Sequence, residues 1–229
     1  MSSAEVRRYD QPDELARGVA AGFLDLVADL QAAGKVPQIA LTGGTIAEAI
    51  HRSIADGAAA SGVDWGAVDF WWGDERFVPA GSPDRNAGQA RAAFLDVVGA
   101  TRVHEMPASD AGMSIDDAAA SYGRELRDSP GDDFDLVMLG MGPDGHVASL
   151  FPGRTEGDSP EIAIPVLDSP KPPSERLSLT FEALNRAQRV WFVVSGSEKA
   201  DAAARAIDGD QSLPAARVHG KTETIWHLA

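Results

Sequence analysis

The chain predicts an α/β fold, and three observations carry the prediction. Short apolar runs end in glycine-rich turns, helical periodicities separate those runs, and the spacing leaves room for a crossover helix between successive strands. Parallel neighbours require such crossovers, so strands and helices in alternation imply a mainly parallel sheet covered by helices on both faces.

The elements follow in order. Leu15, Val19, Phe23, Leu26, Val27 and Leu30 recur at intervals of three and four, giving a helix with one apolar stripe that Gly34 ends. Gln38-Ile39-Ala40-Leu41-Thr42 reads as a buried strand that turns at Gly43-Gly44 into a helix from about Thr45. Val68 to Trp72 is the next strand, followed by a loop through Pro79 and Pro83 and a helix near Ala87 to Val98. Ser114 to Arg127 is predicted as a helix whose start pairs Ser114 with Asp117 in a variant of the capping box. Phe134 to Leu139 is the clearest buried strand. Arg176 to Thr180 and Val190 to Ser195 read as strands with a helix between them, Ser197 to Ile207 as a helix, and Thr224 to Leu228 as an edge strand. Gly153 to Pro160 and Asp168 to Ser174 are expected as exposed loops. The whole, residues 1–229, is expected as a single domain with a Rossmann-like sheet, and no internal repeat interrupts it.

Composition narrows the function. Hydrophobic residues make up 44% of the chain and charged residues 24%, enough to bury a substantial core. A formal charge of −15 repels nucleic acid and anionic lipid, so neither is an expected partner. The chain has no cysteine, which removes disulfides, thiol nucleophiles and thiolate metal sites. The segment from Met1 to Asp10 lacks an apolar signal core and no later run is long enough to span a bilayer, so a cytoplasmic location is expected.

Ligands of open parallel sheets gather beyond the carboxyl ends of the strands, and three constellations fall there. Gly43-Gly44-Thr45 follows one strand and opens a helix, so its N–H groups and the helix dipole could hold a phosphate; a double glycine is also simply a tight turn. It is neither a Walker A loop nor a dinucleotide fingerprint. In Trp71-Trp72-Gly73-Asp74-Glu75-Arg76, Arg76 offers a bidentate fork for phosphate and Asp74 a carboxylate to orient a hydroxyl or another side chain, although charges there can also be the return to solvent. In Gly142-Pro143-Asp144-Gly145-His146, the turn presents an imidazole whose ordinary pKa lies near neutrality. Of five histidines, His51, His104, His219 and His227 lack that setting. No metal-ligand spacing of the His-Glu-x-x-His kind and no Gly-x-Ser-x-Gly elbow occurs, so neither a metal nor another cofactor is expected. In so acidic a chain an anionic ligand needs local cations, and Arg76, Lys171, Arg176 and Lys199 are the candidates.

Together these segments resemble the 6-phosphogluconolactonase family, within the broader group that includes glucosamine-6-phosphate deaminase and ribose-5-phosphate isomerase folds. The likeness spans about Ile39 to Leu228 and includes Leu41-Thr42-Gly43-Gly44, Trp72 to Arg76 with Pro83-Asp84-Arg85-Asn86, Ser169 to Thr180 and Ser195 to Ala200. Its most specific part is Leu139-Gly140-Met141-Gly142-Pro143-Asp144-Gly145-His146-Val147-Ala148-Ser149-Leu150-Phe151-Pro152-Gly153.

The resemblance implies hydrolysis of 6-phosphogluconolactone in the oxidative pentose phosphate pathway. It implies His146 as the base that activates water, oriented by Asp144 or Asp74, with backbone N–H groups on the oxyanion. Thr42, Gly43, Gly44, Thr45, Arg76, Asn86, Lys171, Arg176 and Lys199 would surround the phosphate and sugar. The partner would be a small phosphosugar lactone, and the chain a monomer or weak homo-oligomer. The family often has Ser-Thr-Pro after the double glycine, whereas Thr45-Ile46-Ala47 stands here, so hydroxyl contacts fall to Thr42 and Thr45. Deaminases of the group carry a glutamate five residues after the histidine; here that position is Phe151, which cannot relay a proton. A sugar-phosphate sensor would need a DNA-binding module, and too few residues precede Leu15 for a helix-turn-helix.

Overall fold

The structure, a computed structural model, describes residues 4–129 and 133–229. Met1, Ser2 and Ser3 of the N-terminal segment therefore lie outside the described residues. A short charged strand, β1 (Glu5–Arg8), leads into α1 (Pro12–Ala32), which starts with Pro12 and the acidic pair Asp13 and Glu14 against the positive end of the helix dipole. Leu15, Val19, Phe23, Val27 and Leu30 are buried as the spacing predicts, and Gly34 turns the chain with φ 77°. There the N–H groups of Gly34 and Lys35 donate back to the carbonyls of Gln31 and Leu30.

The next unit is β2 (Gln38–Leu41), α2 (Thr45–Ser61) and β3 (Asp69–Trp72), and a sharp step at Gly73 starts β4 (Asp74–Arg76). The predicted helix over Ala87 to Val98 is three pieces: α3 (Asn86–Ala90), a π-helical turn (Arg91–Leu95) and α4 (Asp96–Val98). The widened turn carries Phe94 into the core, where its ring meets Phe23, Trp65, Phe70 and His51 at 5.2 to 6.2 Å. In α5 (Ile115–Asp128), Ser114 accepts the Asp117 N–H at 3.1 Å, while the Asp117 carboxylate takes the Ser114 hydroxyl at 2.7 Å. There follow β5 (Leu136–Gly140), β6 (Ala163–Val166), β7 (Arg176–Leu179), α6 (Phe181–Asn185), β8 (Arg189–Val194), α7 (Ala200–Ile207) and β9 (Glu223–Leu228).

Six strands form one sheet in the order β1-β9-β8-β5-β2-β3, every neighbouring pair parallel. A second, antiparallel sheet has the order β4-β7-β6. The structure corrects the sequence reading at three points. Thr224 to Leu228 is not an edge: β9 lies between β8 and β1, a strand whose sequence Glu-Val-Arg-Arg carries no apolar signal. Arg176 to Thr180 forms its strand in the smaller sheet. The loop from Gly153 to Pro160 is not wholly exposed, since Gly157 is buried where a Cβ would meet Phe181 and Leu150 at 2.7 and 2.9 Å.

Both faces of the large sheet are covered over β2, β3, β5 and β8, which is why these strands read as mostly apolar runs. Val137 and Leu139 of β5 pack on the side of α5, α7 and the small sheet, whereas Leu136 and Met138 pack toward α1, α2 and Phe94. Among the described residues no helix is long and apolar enough to cross a membrane. The chain reverses its direction of strand addition between β2 and β5, and their following loops diverge there.

His51 is buried in α2 against Phe94, and its Nε2 has no hydrogen-bond partner among the described residues. Burial lowers its pKa to about 4, as it does for His227, also helped by Arg7. A histidine depressed in the fold takes up protons in the unfolded chain first, so its contribution is complete above about pH 6.5 and is lost as pH falls toward 4. Stability is therefore expected to drop across this window, by roughly 3 kcal/mol for each such histidine at its lower end, and the urea midpoint with it. In His51→Leu the drop should be about half as large; an unaltered pH dependence would exclude His51 as a source.

Candidate active site

The loops after β2, β3 and β5 enclose a cleft of about 590 Å³ at the point where the strand order reverses. Thr42 ties two of them together, its hydroxyl accepting the Gly140 N–H at 3.2 Å. A Cβ on Gly43 would lie 1.9 Å from the Asn86 Oδ1, so only glycine lets Asn86 reach this position. Gly44 takes φ 97° and caps α2 without a side chain, leaving the first N–H groups of a 17-residue helix directed into the cleft.

Strand alternation divides the charged triplet of β4. Asp74 and Arg76 line the cleft; Glu75 points the other way and is 1% exposed. The Glu75 carboxylate accepts the backbone N–H groups of Arg76, Asn86 and Ala87, each at 2.8 Å, with the Arg85 guanidinium 4.0 Å away. Burial pushes its carboxyl above the usual range against the pull of those donors. This one group fixes where the loop carrying Asn86 meets the strand carrying Arg76. As a result Arg76 donates to Asn86 Oδ1 at 2.8 Å and to the Asp84 carbonyl at 2.6 Å, and Asn86 donates to the Asp74 carbonyl at 3.0 Å. The Arg76 Nε is buried without a hydrogen-bond partner among the described residues.

The turn after β5 is built around its histidine. Gly142 N–H donates to the His146 carbonyl and Gly145 N–H to the Gly142 carbonyl, both at 3.0 Å, with Gly145 at φ 81°. A Cβ on Gly142 would fall 2.1 Å from the His146 ring, so the imidazole lies directly across this glycine. Nδ1 of His146 is 2.5 Å from Asp144 Oδ1, and the Phe151 ring packs against the imidazole at 4.8 Å. Burial lowers the His146 pKa; Asp144 opposes this and the Lys171 ammonium adds to it. For Asp144, burial acts upward, but the hydrogen bonds with His146 outweigh it and hold the carboxyl below its ordinary value.

Every sequence-predicted site residue lines the cleft except Asp144, which sits behind His146. Of the two acids considered as orienters, Asp144 makes the contact. Asp74 instead accepts the Ser149 hydroxyl at 2.7 Å and faces Arg176 at 4.0 Å. Arg176 is a strut more than a free cation: its Nε and one terminal nitrogen donate to the carbonyls of Pro173, Lys171 and Pro172 at 3.1 to 3.3 Å. That anchorage holds the loop that carries Lys171. Lys199 is half-buried, and burial together with Lys171 lowers its pKa although Glu198 acts upward. The other four histidines lie away from the cleft. Sequence reasoning passed over Glu75, Ser149 and the cleft-lining Glu198 and Asp13. For Glu75 the signal existed, since period-two alternation places it opposite its two neighbours; Ser149 had none, because its partner is 75 residues away.

A parallel sheet with an anion-friendly helix start, several cations and a histidine–aspartate pair in one cleft defines an α/β class built for phosphorylated small molecules. The chain belongs to the glucosamine-6-phosphate isomerases/6-phosphogluconolactonase family, whose profile matches residues 10–226. It is 40% identical to the 6-phosphogluconolactonase of Streptomyces coelicolor over 93% of this chain and 87% of that one. It is likewise 40% identical to that of Mycobacterium tuberculosis over 99% and 96%. The crystal structure of 6-phosphogluconolactonase from Thermotoga maritima superposes with a TM-score of 0.88 at 29% identity, covering 98% of this chain and 99% of the other.

Replacing Glu75 by Gln leaves one oxygen for the Arg76 and Asn86 N–H groups but turns an amide N–H₂ toward the Ala87 N–H. A buried donor left without an acceptor costs about 1–3 kcal/mol, and the cost falls on the alignment of Arg76 with Asn86. Binding of inorganic phosphate, measured by calorimetry, is expected to weaken several-fold in Glu75→Gln with the circular dichroism unaltered. Unchanged phosphate affinity would show that the alignment does not depend on Glu75.

Proposed function

We propose that the chain hydrolyses 6-phospho-D-glucono-1,5-lactone to 6-phosphogluconate, the hydrolytic step of the oxidative pentose phosphate pathway, with His146 as general base. The observation that carries the reading is the His146–Asp144 contact of 2.5 Å on a cleft rich in cations. Asp144 occupies Nδ1 and leaves Nε2 as the working nitrogen of an imidazole that burial keeps neutral. The names of the relatives at 40% identity support the same substrate.

The lactone carbonyl is electrophilic enough for water, so the reading needs neither metal nor cofactor. Nε2 of His146 takes a proton as the water oxygen bonds to C1, giving a tetrahedral oxyanion. The bond from C1 to the ring oxygen then breaks, and the imidazolium returns its proton to that oxygen as it becomes a hydroxyl. Asp144 stabilises the transient imidazolium. The N–H groups of Gly142 and Gly145 are already committed within the turn, so we assign the oxyanion to the neighbouring Lys171 ammonium in place of that turn's backbone. The phosphate is matched by the start of α2, by the Arg76 guanidinium and by Lys199. With the phosphate anchored, the carbonyl is held over His146 instead of finding it by diffusion. Nothing in this scheme uses nucleic acid or a membrane, and we take the enzyme to be cytoplasmic.

Generating the lactone enzymatically at slightly acidic pH, where spontaneous hydrolysis is slow, and following its loss gives the test. The chain is expected to accelerate that loss, and His146→Ala to lower kcat by about 10²–10⁴. Full kcat in His146→Ala would remove the base from the scheme, and no acceleration by the unaltered chain would remove the substrate. The base works deprotonated, so activity is lost as pH falls through the His146 pKa, and the acid limb of kcat/KM is expected below histidine's ordinary value. Asp144 raises that pKa, so Asp144→Asn should move the limb further down while reducing kcat. A limb moved upward would contradict the assigned roles.

A further inference from the structure

β1 ends the six-stranded sheet, so among the described residues one of its edges has no neighbouring strand. Glu5 to Arg8 run parallel to β9, with Arg7 opposite His227, and the Tyr9 N–H continues the ladder to the Leu228 carbonyl at 2.9 Å. In a parallel ladder alternate residues direct both backbone groups to the same neighbour. Glu5, Arg7 and Tyr9 therefore bond β9, and Val6 and Arg8 aim their N–H and C=O groups outward. Such a row is a ready template for another strand.

The side chains differ on the two faces. Val6 lies opposite Trp226, which stacks on Phe192 on the α7 side, and Val6 is 37% exposed. On the same side a groove of about 440 Å³ is lined by Arg8 and by Ala200, Ala203, Ala204 and Ile207 of α7. On the α1 side Glu5 and Arg7 are both exposed and hydrogen-bonded to each other at 2.6 Å.

We propose that this edge is a homodimer interface in which β1 pairs antiparallel with β1 of a second copy about a twofold axis through Val6. A twofold perpendicular to the sheet keeps each face on its own side, so Glu5 must meet a residue of its own face. Centred on Val6, the register sets Glu5 against Arg7 of the partner subunit and Arg7 against Glu5 of the partner subunit. Val6 and Val6 of the partner subunit then exchange two backbone hydrogen bonds, as their outward groups require, and their side chains meet beside the apolar groove. Centring the axis on Glu5 or on Arg7 would instead set like charges face to face and put inward-bonded residues at the pair. The charge order Glu-Val-Arg is thus self-complementary in one register only. A net charge of −15 on each copy opposes association, which is why opposite charges at the seam matter.

The chain has no cysteine, so Val6→Cys supplies one thiol per copy. Opposed residues of a hydrogen-bonded antiparallel pair lie about 5.5 Å apart at Cα, inside the range of about 4.4–6.8 Å that a disulfide spans. Mild oxidation is expected to give a covalent dimer of Val6→Cys rapidly, and of Val97→Cys, whose residue is 66% exposed on α4, only slowly. Sedimentation of the unaltered full chain should show a concentration-dependent dimer. Val6→Pro removes an N–H that β9 does not use and should weaken the dimer by about tenfold or more with the thermal midpoint little changed. Arg7→Glu should do the same, and adding Glu5→Arg to it should restore pairing. A chain monomeric at sub-millimolar concentration overturns the proposal. So does a dimer indifferent to these substitutions, or cross-linking of Val6→Cys no faster than that of Val97→Cys.

Discussion

The architecture depends on a reversal in strand order. After β2 the chain adds β3 on one side, and after crossing to β5 it builds outward through β8 and β9 on the other. Two helices or loops leaving adjacent strands in opposite directions cannot close over the gap between them, so the crevice is a consequence of connectivity. Side chains from elements far apart in sequence then converge there. Thr42, Asp74, His146 and Lys199 share one cleft because four strand ends deliver them to it.

Within that crevice the second, antiparallel sheet acts as a jig. β4 continues almost directly from β3 and pairs with β7, so Arg76 stands opposite Arg176. Two like charges in register would repel, and the structure resolves this by giving each its own acceptors. Arg76 is held by the Asp84 carbonyl and Asn86, Arg176 by the carbonyls of residues 171–173 and by Asp74. Burial and Arg76 both lower the Arg176 pKa while Asp74 raises it, and the net shift is downward. The acidic surface of the chain is compatible with an anionic ligand because four cations, Arg76, Lys171, Arg176 and Lys199, line the cleft.

What the sequence disclosed was what local physics determines. Apolar runs bounded by glycine disclosed β2 and β5, and helical spacing disclosed α1 and α5. The cleft residues were legible because the chemistry is carried by unusual local patterns: Gly43-Gly44 before a helix, and His146 flanked by turn glycines. The illegible parts depend on distant partners. β1 is a strand only because β9 lends it a ladder, and its charged sequence would suit a solvated tail equally well. The break of one expected helix at the π turn answers to the aromatic cluster around Phe94, which draws Phe23, Trp65 and Phe70 from three separate elements. For Arg176 sequence reports the charge but cannot report that Nε and one terminal nitrogen already hold the carbonyls of residues 171–173, leaving the other terminal nitrogen facing Asp74 in the cleft.

Under the proposed mechanism, Phe151 is the neighbour that would choose between reactions on a shared framework. An imidazole with a carboxylate on Nδ1 tends toward the charged form, which is useless as a base. Here the opposing influences are burial, to which the Phe151 ring contributes at 4.8 Å, and the Lys171 ammonium. Their sum lowers the pKa, so the histidine is available to accept a proton while Asp144 still holds its ring in place. An acid at residue 151 would add a second negative charge beside the imidazole and favour the imidazolium, suiting the site to donate a proton to a sugar ring oxygen. If His146 is the base proposed above, the apolar ring does more than fill space: together with Lys171 it favours the neutral imidazole that accepts the first proton.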